Sequence, residues 1–180
     1  MLQSGDPVPN LSAKPIFGRT ITLPGDLRHG PMVVLYLGPI TSPFGRELAF
    51  AMQAAFSGFD RHGIAVVGVT SSGLTAARDF VPRYHLLYPL LADVDGFIAT
   101  TFGLEQSTSV RATARDIVTR GAGAVLAPLR HGMGALEGDP RGPVGAFVLG
   151  RDGRVVRAWQ GASLAARPDL VDLLECARAC

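Results

Sequence analysis

The sequence predicts an α/β fold with a central mixed β-sheet flanked by helices. Three observations carry that expectation. Short apolar runs rich in Val, Ile and Leu occur at residues 33–37 (VVLYL), 64–70 (IAVVGVT) and 88–92 (YPLLA). Runs of this length, bounded by Gly and Pro, suit strands buried on both faces. Segments of helical period lie between them, and strand–helix–strand alternation at this spacing builds right-handed βαβ units. A third signal is Asp152-Gly153 between the runs 146–149 and 155–159, which reads as a closing β-hairpin.

The bulk properties narrow the class. The chain has 180 residues, 47% of them hydrophobic and 18% charged, with a net charge of +2. That suits one globular domain over 1–180 with a sizeable core, and not a disordered chain. Lys14 is the only lysine, and the arginines form no basic block, so nucleic acid is not an expected partner. Residues 1–10 show no basic segment followed by an apolar one, and no apolar run approaches the ~20 residues of a membrane helix. The expectation is a cytoplasmic protein with no membrane partner. The two cysteines, Cys176 and Cys180, do not make a secreted disulfide framework.

Taken in order, residues 16–23 alternate around Gly18-Arg19 and predict a short N-terminal hairpin at the edge of the sheet. After strand 33–37, a Gly-Pro turn leads into a helix opening near Pro43 and Phe44. Leu48, Ala51, Met52, Ala55, Phe56 and Phe59 recur on one face of it. Gly63 closes that helix, with His62 as a partner for its C-terminal dipole. Ser71-Ser72-Gly73 reads as a turn and cap for a helix over 74–84, which Pro82 should end or kink. A further helix is expected over 94–103. Residues 105–137 read as a helical insertion, with Val110, Ala114, Ile117 and Val118 near helical period and Arg111, Arg115 and Arg120 on the other face. A terminal helix covers 168–180 and places Cys176 and Cys180 four apart on one face.

The centre of the chain is the stretch 33–47, VVLYLGPITSPFGRE. A loop leaving a buried strand into a helix is where α/β folds place chemistry, because free N–H groups and the helix dipole meet there. This stretch resembles the redox loop of peroxiredoxin-like (AhpC/TSA) thioredoxin-fold proteins. In a peroxiredoxin register Pro39, Thr41 and Glu47 bracket the site and Phe44 stands at the peroxidatic position. In the branch with a C-P-F-C-R-E motif, residues 42–47 read S-P-F-G-R-E, which replaces the two cysteines by Ser42 and Gly45. The second register is preferred, since Pro43, Phe44, Arg46 and Glu47 all agree with it. The resemblance extends to the opening Gly5-Asp6-Pro7, to Pro89-Leu90-Leu91 with Asp93, and to the closing hairpin, so it covers about residues 5–174. It implies a thioredoxin-like fold, a cis-proline at Pro143, and a homodimer. The family's arginine ahead of the last hairpin falls at Val144, with Arg141 three residues away.

Neither Ser, Gly nor Phe can act as a peroxidatic thiolate. The function expected is therefore a peroxiredoxin-like protein without the family's loop cysteines, repurposed for non-thiol chemistry or small-molecule binding, as a specialised (secondary) metabolic pathway would use it. Its pocket would be formed by Tyr36, Thr41, Ser42, Phe44, Gly45, Arg46 and Pro143. Thr41, Ser42, Arg46 and Glu47 are the candidates for a catalytic role, although the charge of Glu47 alone suits it to a helix N-terminus and favours a structural role there. No cofactor and no metal site is expected. Two alternatives remain open: a thiol-dependent peroxidase using Cys176 and Cys180, and a non-catalytic protein-interaction partner. An i,i+4 cysteine pair in a rigid helix has poor disulfide geometry, which fraying at the chain end would relax.

Overall fold

Strand β3 (Met32–Tyr36) is buried at every position and lies in the middle of a five-stranded sheet. The structure is a computed structural model, and it describes residues 1–105 and 142–180. The expected helical insertion therefore lies outside the described residues, apart from Glu105. Strand β4 (Ala65–Thr70) pairs parallel with β3, and β5 (Leu90–Ala92) pairs parallel with β4. On the other side, β6 (Gly145–Leu149) runs antiparallel to β3, and β7 (Val155–Gln160) antiparallel to β6. The sheet is mixed because the first half is joined through helices and the second by a tight hairpin, whose Gly153 takes φ +75°.

Residues alternate across the pleat of β3 and so feed two cores. Val33 and Leu35 join Leu48, Met52 and Phe59 of α1 (Pro43–Arg61), Ala77 and Phe80 of α2 (Leu74–Arg83), and Leu173 of α4 (Leu170–Arg178). Val34 and Tyr36 face the other way, against Phe147, Leu91, and Ile98 of α3 (Phe97–Thr101). That second core is closed by Leu11 of β1 (Leu11–Ala13), Leu23 of β2 (Ile21–Leu23), and Leu27 of a 3-10 turn (Gly25–His29). Helices α1, α2 and α4 thus cover one face, and the N-terminal hairpin with α3 covers the other.

Several expectations shift at the level of single elements. The N-terminal hairpin forms, but its first strand is residues 11–13, paired Leu11↔Leu23, and Ile16 and Phe17 lie in the connection. Residues 5–8 run beside the closing hairpin, where Val8 N–H donates to Gly153 C=O at 2.8 Å. Pro82 sits in the last turn of α2 and the helix ends one residue later. The expected helix over 94–103 shortens to five residues, because Val94 and Asp95 form a turn closed by Gly96 at φ +71°. His62 does serve the end of α1: its Nδ1 lies 2.8 Å from Gly58 C=O. The Gly142–Pro143 bond is not cis, and the cis bond among the described residues is Leu23–Pro24. No helix among the described residues is long and apolar enough to cross a membrane.

Candidate functional site

The loop between β3 and α1 is tied down from below by a residue on the neighbouring strand. Thr70, the last residue of β4, is fully buried. Its hydroxyl donates to Gly38 C=O at 2.8 Å and accepts from Ile40 N–H at 3.3 Å and Ser72 N–H at 3.1 Å. One side chain therefore holds both the β3–α1 and the β4–α2 connections. Gly38 turns the loop at φ +68°, a conformation that a β-carbon disfavours.

The loop then folds back on the start of α1. Ser42 is the N-cap, and its Oγ accepts from Gly45 N–H at 3.0 Å. Pro43 follows at the first helical position, where its missing N–H costs nothing. A β-carbon placed on Gly45 would lie 2.2 Å from Pro39 O and 2.8 Å from the carbon of the same carbonyl. The backbone thus occupies the place of any side chain at position 45. Arg46 turns back too, its Nε donating to Ile40 C=O at 2.9 Å. Thr41 is buried, and Phe44 is half-buried.

Glu47 faces a different neighbour. Its carboxylate meets Arg167 Nη2, on the segment leading into α4, as an ion pair outside hydrogen-bonding geometry. Both side chains are mostly buried, and burial pushes the Arg167 guanidinium's affinity for its proton down. A role for Glu47 in joining α1 to the 161–169 segment follows directly.

Tyr36 does not belong with these residues. The alternation along β3 places it on the α3 face, opposite α1. Its hydroxyl donates to Asp93 Oδ2 at 2.5 Å. Asp93, only 3% exposed, also accepts from Ile98 N–H at Oδ1 (2.9 Å) and from Ala99 N–H at Oδ2 (2.8 Å). Three donors converging on two oxygens is the pattern of an ionised carboxylate. Burial, then the hydrogen bond to Asp93, then the charges of Asp93 and Asp95 push the Tyr36 phenol far above its ordinary range, so it stays a donor.

Beside this pair is a cavity of about 200 Å³ at the carboxyl ends of β3, β4 and β5, where ligands of α/β sheets gather. Tyr36, Ser71, Asp93, Ala99, Leu104 and Pro143 line it. Ser71 is 7% exposed, and its hydroxyl is buried without a hydrogen-bond partner among the described residues. The residues expected to share one pocket are therefore divided. Tyr36 and Pro143 line the cavity, whereas Thr41, Ser42, Phe44, Gly45 and Arg46 do not. Ser71 and Ser72 do not cap α2 either, since its N-cap is Gly73 and makes no side-chain hydrogen bond.

Thr70, Ser71 and Asp93 are the functional candidates that sequence reasoning passed over. Asp93 carries a signal of a kind: a lone acid directly after a buried strand needs donors, and a helix start supplies them.

At the other end of the chain, Cys176 and Cys180 are free thiols. Cys180 Sγ donates to Cys176 C=O at 3.1 Å, so the second sulfur is turned toward backbone and not toward the first. Burial first, and then Asp172 for Cys176 and Cys176 for Cys180, raise both thiols above their ordinary range. A raised thiol is a poor nucleophile at neutral pH.

Comparison with known proteins bears on this geometry. Residues 4–125, well over half of the chain, match the model of the AhpC/TSA family. The chain belongs to the AhpC/TSA family. No curated protein matches it. Among solved structures it is similar to peroxidoxin BcpB from Mycobacterium tuberculosis, with a TM-score of 0.71 at 19% identity, covering 99% of this chain and 98% of that one. Peroxiredoxin Q of Xanthomonas campestris gives a TM-score of 0.63 at 15% identity, covering 94% and 87%. A mutant form of Xylella fastidiosa PrxQ gives 0.70 at 14%, covering 99% and 97%. At these identities the likeness establishes the fold, which is thioredoxin-like. This AhpC/TSA member has no cysteine between residues 1 and 175.

Proposed function

We propose that this AhpC/TSA protein performs no thiol redox chemistry at its β3–α1 loop and binds a small molecule in the cavity beside Tyr36 and Asp93. The observation that carries the reading is Gly45. The carbonyl of Pro39 fills the space of its missing side chain, so the loop has closed over a position where the C-P-F-C-R-E branch has a cysteine. A cavity with room for a ligand lies on the other side of β3, next to a buried Ser71 hydroxyl that has no hydrogen-bond partner among the described residues. An unsatisfied buried hydroxyl costs about 1–3 kcal/mol, which a ligand oxygen or nitrogen would recover. The protein is read as a cytoplasmic homodimer with a small-molecule ligand, and its Arg46 and Ser42 as structural ties of the loop.

The test has two arms. Peroxide consumption with a dithiol reductant is measured on the protein and on a Cys176→Ser, Cys180→Ser variant, and neither should consume peroxide. Consumption that disappears in the variant overturns the reading and moves the chemistry to the C-terminus. A broad fragment screen read by amide chemical shifts should give saturable changes at Ser71 and at residues 93–100. A screen that leaves those amides unmoved overturns the binding half of the proposal.

A further inference from the structure

Asp93 is a buried carboxylate that accepts three hydrogen bonds and pairs with no cation among the described residues. No basic side chain pairs with it or with Asp95 among the described residues, and both line the cavity. A buried charge without a counter-charge is costly even when its oxygens accept hydrogen bonds, and an opposite charge nearby offsets that cost. The remaining wall is apolar or uncharged, with Val94, Ala99, Leu104 and Pro143, plus the unpartnered hydroxyl of Ser71. The cavity of about 200 Å³ is somewhat larger than the ~150 Å³ apolar cavity that accommodates a benzene ring.

We propose that this cavity takes a cationic amine carried on a small body about the size of one ring. The ammonium lies toward Asp93 and Asp95, the ring lies against Val94, Leu104 and Pro143, and Ser71 supplies one hydrogen bond. This rests on the reading that the cavity is a small-molecule site, and adds the charge and size of what it binds. No bond is made or broken.

Benzylamine, benzyl alcohol and benzoate share one ring size and differ in charge. Each is titrated into the protein at neutral pH and followed by amide shifts at Ser71 and residues 93–100. Benzylamine should saturate and bind at least about tenfold more tightly than benzoate. Asp95 is exposed, so Asp95→Asn should fold normally; it should weaken benzylamine about threefold and leave benzyl alcohol unchanged. Thr100 is exposed at the cavity mouth, and Thr100→Trp should abolish benzylamine binding by blocking entry. Benzoate binding as tightly as benzylamine would overturn the charge assignment, as would benzylamine binding that Thr100→Trp leaves intact. If all three probes fail while other fragments of the broad screen shift these amides, the amine proposal falls alone. If no fragment does, the small-molecule reading falls with it.

Discussion

The Tyr36 hydroxyl donates a 2.5 Å hydrogen bond to Asp93 Oδ2 across 57 residues of chain, joining the central strand to the start of α3. Tyr36 is 2% exposed and Asp93 is 3% exposed. Tyr36→Phe removes one of three donors from a buried carboxylate and nothing else. It should lower stability by about 1–3 kcal/mol, read as a shift of the urea midpoint with an unchanged slope.

The same pair sets a dependence on alkaline pH. The folded protein holds the Tyr36 phenol above the value of about 10 that it has in an unfolded chain, and burial raises Tyr88 likewise. A phenol raised in this way contributes stability that is fully present below pH 10. That contribution is lost as pH rises beyond it, since the unfolded chain then ionises a group the fold keeps neutral. Stability should therefore fall above about pH 10. Tyrosinate absorbance from Tyr36 and Tyr88 should appear together with loss of the folded circular-dichroism signal and not before. Early ionisation of both tyrosines in the folded protein would contradict the burial described.

Two glycines of α1 should respond to alanine with opposite sign. At Gly45 a β-carbon meets Pro39 O at 2.2 Å, so either the loop or the helix start must move. Gly45→Ala should cost about 1–3 kcal/mol or more. At Gly58 the nearest atom is Leu174 Cδ2 at 3.5 Å, an ordinary contact. Gly58→Ala should stabilise by about 0.5–1 kcal/mol through helix propensity. Thermal unfolding of the two variants separates the effects, and equal responses would mean that the loop does not press on position 45.

How much of this was legible in the sequence follows from the range of the signals. The sheet was readable because β3 and β4 are near-continuous apolar runs, broken only at their ends by the Tyr36 and Thr70 hydroxyls, as suits strands covered on both faces. The start of α1 was readable from Ser42-Pro43, since capping is local chemistry. The make-up of the site was not. Placing Tyr36 with Ser42 and Arg46 followed their closeness in sequence, whereas the pleat sends Tyr36 through the sheet to the opposite face. Asp93 is 57 residues from Tyr36, and only the β3–β4–β5 register makes them neighbours. Arg167 and Glu47 are 120 positions apart and joined by packing of the segment ahead of α4 against α1. Neither pairing leaves a periodic mark on the chain.

Glu47 and Arg167 give a test that separates a structural tie from a catalytic acid. If Glu47 serves to hold the 161–169 segment, a double-mutant cycle of Glu47→Gln and Arg167→Met should show a coupling energy of about 1–3 kcal/mol. Glu47→Gln leaves the mostly buried Arg167 guanidinium without the carboxylate it faces, so the double variant should be more stable than the sum predicts. Additive losses would mean that the two charges do not support one another.

The cysteines offer the last check, and it bears on the competing redox reading. Both thiols are raised by burial and by neighbouring negative charge, and Cys180 Sγ is engaged by the carbonyl of Cys176. The attacking species in alkylation or peroxide reaction is the thiolate, so a raised thiol reacts slowly at neutral pH. Iodoacetamide should modify the folded protein more slowly at pH 7 than a free cysteine, with a rate still rising above about pH 9, past the ordinary thiol range of ~8.5. Asp172→Asn should speed the reaction at Cys176, because it removes the charge that lies 3.9 Å from that sulfur. A thiol as reactive at pH 6 as at pH 8 would require a cation near the sulfur. Among the described residues the cation that acts on Cys176 is Arg157, and it is already paired with Asp172 at 3.0 Å.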